Sequence, residues 1–178
     1  NHITIIKYNS KIFFSMKKQL LAVAAMIAFG FMNAQAPLEK GGTQFNAGFG
    51  ISGWGTPVYA GLDYGIATDL TVGAEGSYRS YNQTGFKSSI IGLQVNGNYH
   101  FNKILSIPSK WDFYAGASAN YYIWNTDSAY ELLAEDSGFG IGFQVGGRYF
   151  FSDKFGVNLE GGSGNSTTGG KLGITYKF

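Results

Sequence analysis

The feature that most constrains the fold is a regular alternation of apolar and polar residues that begins near Thr43 and continues to the C-terminus. Successive side chains of a β-strand point to opposite faces, so a period of two indicates strands with one apolar and one polar face. The clearest segment has an apolar face made of Ile91, Leu93, Val95, Gly97, Tyr99 and Phe101. Its polar face carries Gly92, Gln94, Asn96, Asn98 and His100.

Seven further segments follow the same pattern, and links rich in Gly, Asn, Asp, Ser and Pro separate them. Strands joined by short links are antiparallel neighbours. Because no helical period lies between the segments, an up-and-down sheet is the simplest topology, and closure of the sheet removes both exposed edges. The predicted segments are residues 44–51, 58–66, 70–79, 91–101, 111–123, 139–151, 155–160 and 171–178.

Alternation alone does not say which face of the barrel points outward, because a soluble lipocalin-like barrel also alternates. Three observations favour apolar residues outside. The polar faces are made mainly of Gly, Ser, Asn and Gln, which suit a crowded lumen better than a solvated surface. The apolar faces carry no charge, as expected where a Lys or Arg at the bilayer midplane would cost about 2–4 kcal/mol. Large aromatic residues also gather at the strand ends, as at membrane interfaces.

The aromatic residues of the apolar faces form two groups. One end of the predicted barrel has Phe101, Trp111, Tyr149, Phe151, Phe155, Tyr176 and Phe178, and the other has Phe49, Tyr78, Tyr121 and Phe139. Two such girdles are typical of membrane barrels. The sequence therefore predicts an all-β protein, an eight-stranded antiparallel up-and-down transmembrane β-barrel.

Composition excludes several other classes of protein. Charged residues make up 13% and aromatic residues 17%, which argues against disorder. The chain has no Cys, so disulfides, thiolate metal sites and catalytic thiols are excluded. Four of the 13 basic residues precede residue 20 and all 11 acidic residues follow residue 36, so the remainder carries 9 − 11 = −2. No basic patch remains there, and nucleic-acid binding is not expected.

The segment before the alternating region has the pattern of a secretory signal. Met16-Lys17-Lys18 precedes an apolar run from Leu20 to Met32, and Asn33 to Ala36 supply an A-x-A site. The run is shorter than the ~20 residues of a spanning helix, and a buried core helix is the alternative. We expect residues 1–15 to be an upstream extension that is not native, residues 16–36 a signal peptide cleaved near Ala36, and residues 37–178 the barrel.

The last strand carries a recognisable ending. Leu172, Ile174, Tyr176 and Phe178 alternate up to a final Phe, which resembles the C-terminal assembly signal of bacterial outer-membrane proteins. With the signal peptide and eight strands, residues 37–178 are similar to the small OmpA/OmpX-type barrels. The resemblance implies a Gram-negative outer-membrane location, insertion by the barrel assembly machinery, periplasmic termini and, for most members, no enzymatic activity. It places residues 67–69 and 152–154 in periplasmic turns and 125–137 in an extracellular loop, whereas 102–110 is long for a periplasmic turn.

By strand parity, eight charged residues face the lumen. Since a buried charge needs a partner, we predict a cluster of Arg148, Glu160 and Lys171, with Glu75 and Arg79 nearby across the lumen. Two interpretations stay open at this point, a neutralised structural plug and a gate or narrow polar path. The lumen charges are Asp63, Glu75, Asp112, Glu160, Arg79, Arg148, Lys171 and Lys177.

Candidate chemistry is sparse. His100 is the one histidine of residues 37–178, and parity turns it inward near the periplasmic end without a neighbouring Ser. Gly138-Phe-Gly-Ile-Gly142 resembles a nucleotide loop only superficially, because no helix follows it. No catalytic residue, cofactor or metal site is predicted.

One predicted extracellular loop is acidic. It has four carboxylates and no base, and it could bind divalent cations that bridge lipopolysaccharide, although the spacing matches no calcium loop. A solvated acidic loop is the alternative, and Tyr122, Trp124 and Tyr130 could form an adhesive patch beside it. The acidic residues are Asp127, Glu131, Glu135 and Asp136.

Two functions are compatible with these features. The first is a non-enzymatic, monomeric barrel that contacts outer-membrane lipids and lipopolysaccharide and supports the membrane or interacts through its extracellular loops. The alternative is a narrow channel for ions or small apolar molecules. Side chains largely fill an eight-stranded lumen, which favours the first function.

Overall fold

The computed structural model describes residues 37–52, 55–83, 86–126, 137–167 and 169–178. These residues form a closed barrel in which each strand pairs antiparallel with its neighbours in the chain and the last strand pairs with the first. The predicted fold class is confirmed. The strands are β1 (Thr43–Ile51), β2 (Val58–Ala67), β3 (Leu70–Gln83), β4 (Phe86–His100), β5 (Trp111–Thr126), β6 (Gly138–Phe150), β7 (Phe155–Ser163) and β8 (Gly170–Lys177).

No helix in the described part of the chain is long and apolar enough to span a bilayer.

The wall of the barrel has unequal height. Strands β3, β4 and β5 have 14, 15 and 16 residues, whereas β7 and β8 have 9 and 8. The long strands exceed their predicted bounds because the β3–β4 ladder continues to the pair Gln83–Phe86. A ladder depends on backbone hydrogen bonds and not on apolar side chains, so it continues past the last apolar residue that the sequence pattern can detect.

Two rims are useful landmarks. We call the end where β1 begins and β8 ends the terminal rim, and the opposite end the distal rim. Links 68–69, 101–110 and 151–154 lie at the terminal rim. Strands β1, β3, β5 and β7 end at the distal rim.

The predicted orientation of the two faces is confirmed. Along β6, Phe143 exposes 68% of its surface while the next residue, Gln144, exposes 2%. The same inversion holds around the barrel, with large apolar side chains outside and amides, hydroxyls and charges inside. An apolar exterior of this kind is stable in lipid and not in water.

Aromatic side chains on the outside of the terminal rim pack against one another. Trp111 stacks on Phe113 with ring centroids 5.7 Å apart and meets Tyr149 at 4.7 Å. Phe151 and Phe155 are 5.1 Å apart. We call this group the aromatic belt: Tyr99, Phe101, Trp111, Phe113, Tyr149, Phe151, Phe155, Tyr176 and Phe178.

Candidate functional site

The terminal half of the lumen is organised around Arg148 on β6. Its guanidinium donates to Asp112 on the neighbouring strand and to Asp63 on β2, each at 2.9 Å. Asp63 also accepts hydrogen bonds from Gln44 and Asn46 at 3.0 and 2.9 Å. All three charged groups are buried, so each charge has lost its water and is held by charge-assisted hydrogen bonds instead.

His100 joins the same group. Its Nδ1 lies 2.6 Å from Asp112 Oδ1, and its Nε2 lies 3.0 Å from the hydroxyl of Thr71. The imidazole is fully buried, and both ring nitrogens have partners from neighbouring strands. The predicted inward position near the terminal rim is what the structure shows. We call Asp63, Thr71, His100, Asp112 and Arg148 the arginine cluster.

A second group lies closer to the distal rim. Lys171 Nζ is 2.9 Å from Glu75 Oε2 and 2.8 Å from Glu160 Oε1. Glu160 lies directly opposite Lys171 in the β7–β8 ladder, whereas Glu75 reaches it from β3 across the lumen. We call Glu75, Glu160 and Lys171 the lysine cluster.

The structure places the five predicted cluster residues differently from the prediction in one respect. Arg148 pairs with Asp63 and Asp112 instead of Glu160. Arg148 lies opposite Asn158, two positions from Glu160, and Tyr114 lies between the two clusters. The Tyr114 hydroxyl donates to Glu160 at 2.8 Å, and the Arg148 guanidinium lies 4.2 Å from the centroid of the same ring.

Tyr114 and Phe150 are buried lumen residues that the sequence analysis missed. The signal was present, because Asp112 is predicted to face the lumen, and parity puts Tyr114, two residues later, on the same face. Phe150 was missed in the same way. Its side chain is fully buried, and Lys177 Nζ lies 3.9 Å from the centroid of its ring. An aromatic residue on a polar face looks like an exception to the alternating pattern. Here the rings of Tyr114 and Phe150 are buried and pack inside the lumen.

Arg79 lies at the distal end of the lumen. It was predicted to lie near Glu75. Its guanidinium donates to the hydroxyl of Ser52 at 3.2 Å and to the carbonyl oxygen of Thr167 at 3.3 Å. Arg79 therefore binds the link that follows β7.

That link folds into the barrel. Residues Gly164 to Thr167, which we call the lumen loop, turn inward where the wall of β7 and β8 is low. Gly164 adopts a positive φ of 70°, a conformation that favours glycine, and the three residues after it are fully buried.

Side chains from the tall wall hold the lumen loop. Ser77 donates to the carbonyl oxygen of Ser166 at 2.8 Å, and the Ser166 amide donates to Gln94 at 2.8 Å. Tyr122 and Asn120 donate to the carbonyl oxygen of Gly164 at 2.9 and 2.6 Å. The buried backbone of the loop is thus hydrogen-bonded, as a buried backbone must be.

The lumen loop and the lysine cluster are directly connected. The hydroxyl of Ser166 donates to Glu75 Oε1, which also accepts from Lys171 at 3.0 Å. Two glycines make room for the loop. A Cβ at Gly92 would lie 2.7 Å from the carbonyl oxygen of Ser166, and a Cβ at Gly142 would lie 2.6 Å from that of Gly164.

A cavity of about 20 Å³ lies between the two clusters, which has room for about one water molecule. Its polar lining includes Asp63, Glu75, Arg148, Glu160 and Lys171. The described residues contain no group of three or more His, Cys, Asp or Glu side chains placed to hold a metal ion.

Tyr122, which was predicted to belong to an adhesive patch beside the acidic loop, instead donates to carbonyl oxygens of the lumen loop. The four residues of the predicted assembly signal face outward on β8 or just beyond it, and each is well exposed. The acidic loop residues lie outside the described residues. They are Asp127, Glu131, Glu135 and Asp136.

Comparison with known proteins rests on structure. No family model matches the chain, and no curated protein matches it either. The outer membrane protein OprG from Pseudomonas aeruginosa aligns with a TM-score of 0.61 and 12% identity, over 82% of this chain and 99% of OprG. The chain has the fold of a small outer-membrane β-barrel.

Two further structures agree with this barrel. Ail, the attachment invasion locus protein of Yersinia pestis, solved with the heparin analogue sucrose octasulfate, aligns with a TM-score of 0.53 and 12% identity over 78% of this chain and 99% of Ail. A de novo designed transmembrane β-barrel aligns with a TM-score of 0.55 and 16% identity over 80% of this chain and 100% of the design. At these identities the likeness concerns the barrel architecture.

Proposed function

We propose that the protein is a non-enzymatic, closed barrel of the bacterial outer membrane that acts through its surfaces and not through its lumen. The observation that carries this proposal is the filling of the lumen. Two ion-paired clusters and the lumen loop occupy the described part of the lumen, and the cavity between the clusters, about 20 Å³, has room for about one water.

The outer-membrane location is supported by the exterior and by the chain ends. The outside of the barrel is apolar between its rims, and the aromatic belt marks one interface. The expected signal peptide of residues 16–36 leads to export, and the alternation of Leu172, Ile174, Tyr176 and Phe178 resembles the signal for insertion by the barrel assembly machinery. In this orientation the terminal rim faces the periplasm and the distal rim faces outward.

The absence of enzymatic activity is proposed from the surroundings of His100. Thr71, His100 and Asp112 are linked in the order of a hydrolytic triad. Thr71 is only 1% exposed, however, and Asp112 is already paired with Arg148. A substrate has no access to this hydroxyl, so the linkage is best explained as packing of a polar lumen.

The partners we propose are lipids at both faces of the membrane, with lipopolysaccharide bound outside through divalent cations. Residues 127–136 carry four carboxylates and no base, which suits a cation bridge between loop and phosphate. Ail was solved with a polyanion, and a loop of this charge would repel such a ligand. We propose a monomer.

Planar-bilayer recordings of the refolded protein test the closed lumen. We expect no steady conductance from the unaltered chain, and a reproducible conductance in it would favour the channel instead. A matched variant replaces Asn165, Ser166 and Thr167 with glycine, which removes the side chains of the lumen loop. Conductance that appears only in this variant would assign the seal to the loop.

A further inference from the structure

The β4–β5 link is the longest link of the terminal rim that the structure describes. It spans residues 101–110, whereas the β2–β3 and β6–β7 links at the same rim have two and four residues. Two adjacent apolar side chains lie at its tip, Ile104 with 66% and Leu105 with 64% of their surfaces exposed. A turn that only reverses the chain needs neither this length nor these residues.

The β4–β5 link is ordered by its own hydrogen bonds. The Leu105 amide donates to the carbonyl oxygen of Phe101 at 2.9 Å, and the Ile107 amide donates to that of Asn102 at 3.0 Å. The buried side chain of Asn102 accepts a hydrogen bond from the Phe113 amide at 3.2 Å and donates one to the carbonyl oxygen of Trp111. Ser106 adopts a positive φ of 52°, a conformation that residues other than glycine seldom adopt. These hydrogen bonds therefore give the link a defined conformation in which Ile104 and Leu105 are exposed.

The same rim does bury apolar residues elsewhere. Leu38, which precedes β1, is buried at the terminal rim. The described residues leave Ile104 and Leu105 uncovered, and two adjacent exposed apolar side chains on a fixed loop favour contact with an apolar medium.

The loop arises from the lipid-facing surface. Phe101 and Trp111, at its two ends, belong to the aromatic belt, and Trp111 contacts Phe113 and Tyr149. Such a belt lies at the level of the lipid headgroups. The apolar tip is thus continuous with a surface that already faces lipid.

Charge at the terminal rim favours an anionic surface. Lys103, next to the tip, is exposed, as are Lys40 and Lys154 on neighbouring parts of the rim. Four lysines and three acids lie at this rim outside the lumen, and basic residues are attracted to anionic lipid. The lysines are Lys40, Lys103, Lys110 and Lys154, and the acids are Glu39, Asp69 and Asp153.

We propose that the β4–β5 loop inserts into the adjoining leaflet, with Ile104 and Leu105 among the upper acyl chains and Lys103 at the phosphates of an anionic phospholipid. The inference rests on the membrane location proposed above. It adds that this loop is a lipid-binding element at the periplasmic leaflet and not a connection that lies in the periplasm.

Site-specific labelling tests the insertion. The chain has no cysteine, so the I104C variant carries a single environment-sensitive fluorophore at the tip. The control is D153C, which places the label in the exposed β6–β7 link at the same rim. Both proteins are refolded into vesicles of phosphatidylethanolamine and phosphatidylglycerol, or of phosphatidylcholine alone, with and without nitroxide-labelled acyl chains. A heat-modifiable gel shift shows that the barrel has formed.

We expect the label on I104C to shift to shorter wavelength and to lose intensity with the nitroxide lipids, and the label on D153C to change little. The loss should be smaller in phosphatidylcholine, and adding Lys103→Glu to I104C should remove this dependence on lipid charge. Equal quenching in both lipids would overturn the role of Lys103.

Two results would contradict insertion of the loop and leave the proposed barrel function intact. A water-exposed label on I104C in a folded barrel would place the loop in the aqueous phase. A label shielded from water but not quenched by lipid would mean that the loop packs on protein. Failure of both variants to form a heat-modifiable barrel in vesicles would instead contradict the proposed function, and with it this inference.

Discussion

The two charge clusters of the lumen are built on different principles. The arginine cluster joins side chains of five strands, β2 to β6, and Arg148 and Asp112 at its centre are direct neighbours in the β5–β6 ladder. The lysine cluster also begins with neighbours, Lys171 and Glu160 in the β7–β8 ladder, but its third member, Glu75, is shared with Ser166 of the lumen loop.

Because one cluster lies between strands and the other binds the lumen loop, we expect the two clusters to contribute differently to stability and to closure of the lumen. Loss of a charge in the arginine cluster leaves an unpaired charge between rigid strands, where nothing can move to compensate. Loss of a contact in the lysine cluster can be relieved by movement of the lumen loop, because a loop opens locally at lower cost than a strand. We therefore expect the first cluster to govern stability and the second to govern access to the lumen.

The largest effect is expected for Arg148→Met. The substitution leaves Asp63 and Asp112 as buried carboxylates without their cation, which should destabilise the fold by about 3–5 kcal/mol. Urea unfolding of the protein refolded in vesicles measures this loss. Lys40→Met, an exposed site on the terminal rim, is the control and should change stability by less than about 0.5 kcal/mol. Equal stability of both variants would contradict the role given to the arginine cluster.

Lys171→Met should cost about 3 kcal/mol, because Glu75 and Glu160 then face each other without a cation. The smaller loss reflects the remaining hydrogen bonds of these carboxylates to Ser166 and Tyr114. Adding Glu160→Gln removes one of the two negative charges and should restore part of the loss. If the double variant were less stable than Lys171→Met alone, charge repulsion would not be the cause.

Ser166→Ala sharpens the comparison. It removes the hydrogen bond from the lumen loop to Glu75, worth about 1.5–2 kcal/mol for a bond to a charged group. Its distinctive effect should be local, with faster amide hydrogen exchange at Asn165 to Thr167 and unchanged exchange in the strands. The exposed Ser163→Ala, at the end of β7, is the control. Uniformly faster exchange around the barrel would show that the loop is not a separate unit.

Thr71→Val should have the smallest effect. The change keeps the shape of the side chain and removes the hydrogen bond to His100 Nε2, at a cost of about 1 kcal/mol. Because the rest of the arginine cluster stays intact, exchange in the lumen loop should not change. Bilayer recording would detect any conductance in this variant. A conductance would contradict the proposal that the lysine cluster and the lumen loop, and not the arginine cluster, control access to the lumen.

Much of the architecture could be predicted from the period of two. Alternation between Phe143 and Gln144, repeated over eight segments, indicated both the strands and the direction of each face, since strand geometry is local. Predicted strand ends were less accurate where the β3–β4 ladder continues to Gln83 and Phe86. Backbone pairing has no side-chain signature there.

The candidate site was predicted only in part. Neighbours within one ladder, such as Glu160 and Lys171, could be paired from strand heights alone. The partner of Arg148 could not, because Asp63 lies 85 residues away on a strand across the lumen. Tyr114 decides which charges meet by occupying the space between them.

By itself, the sequence determined the number of strands, their antiparallel order and the outward direction of the apolar faces, because each of these follows from a repeating local pattern. Only the tertiary structure decided which charges meet across the lumen and that the link after β7 enters it. These features depend on how far each side chain reaches inside a closed wall of unequal height, and no local pattern of residues encodes that distance.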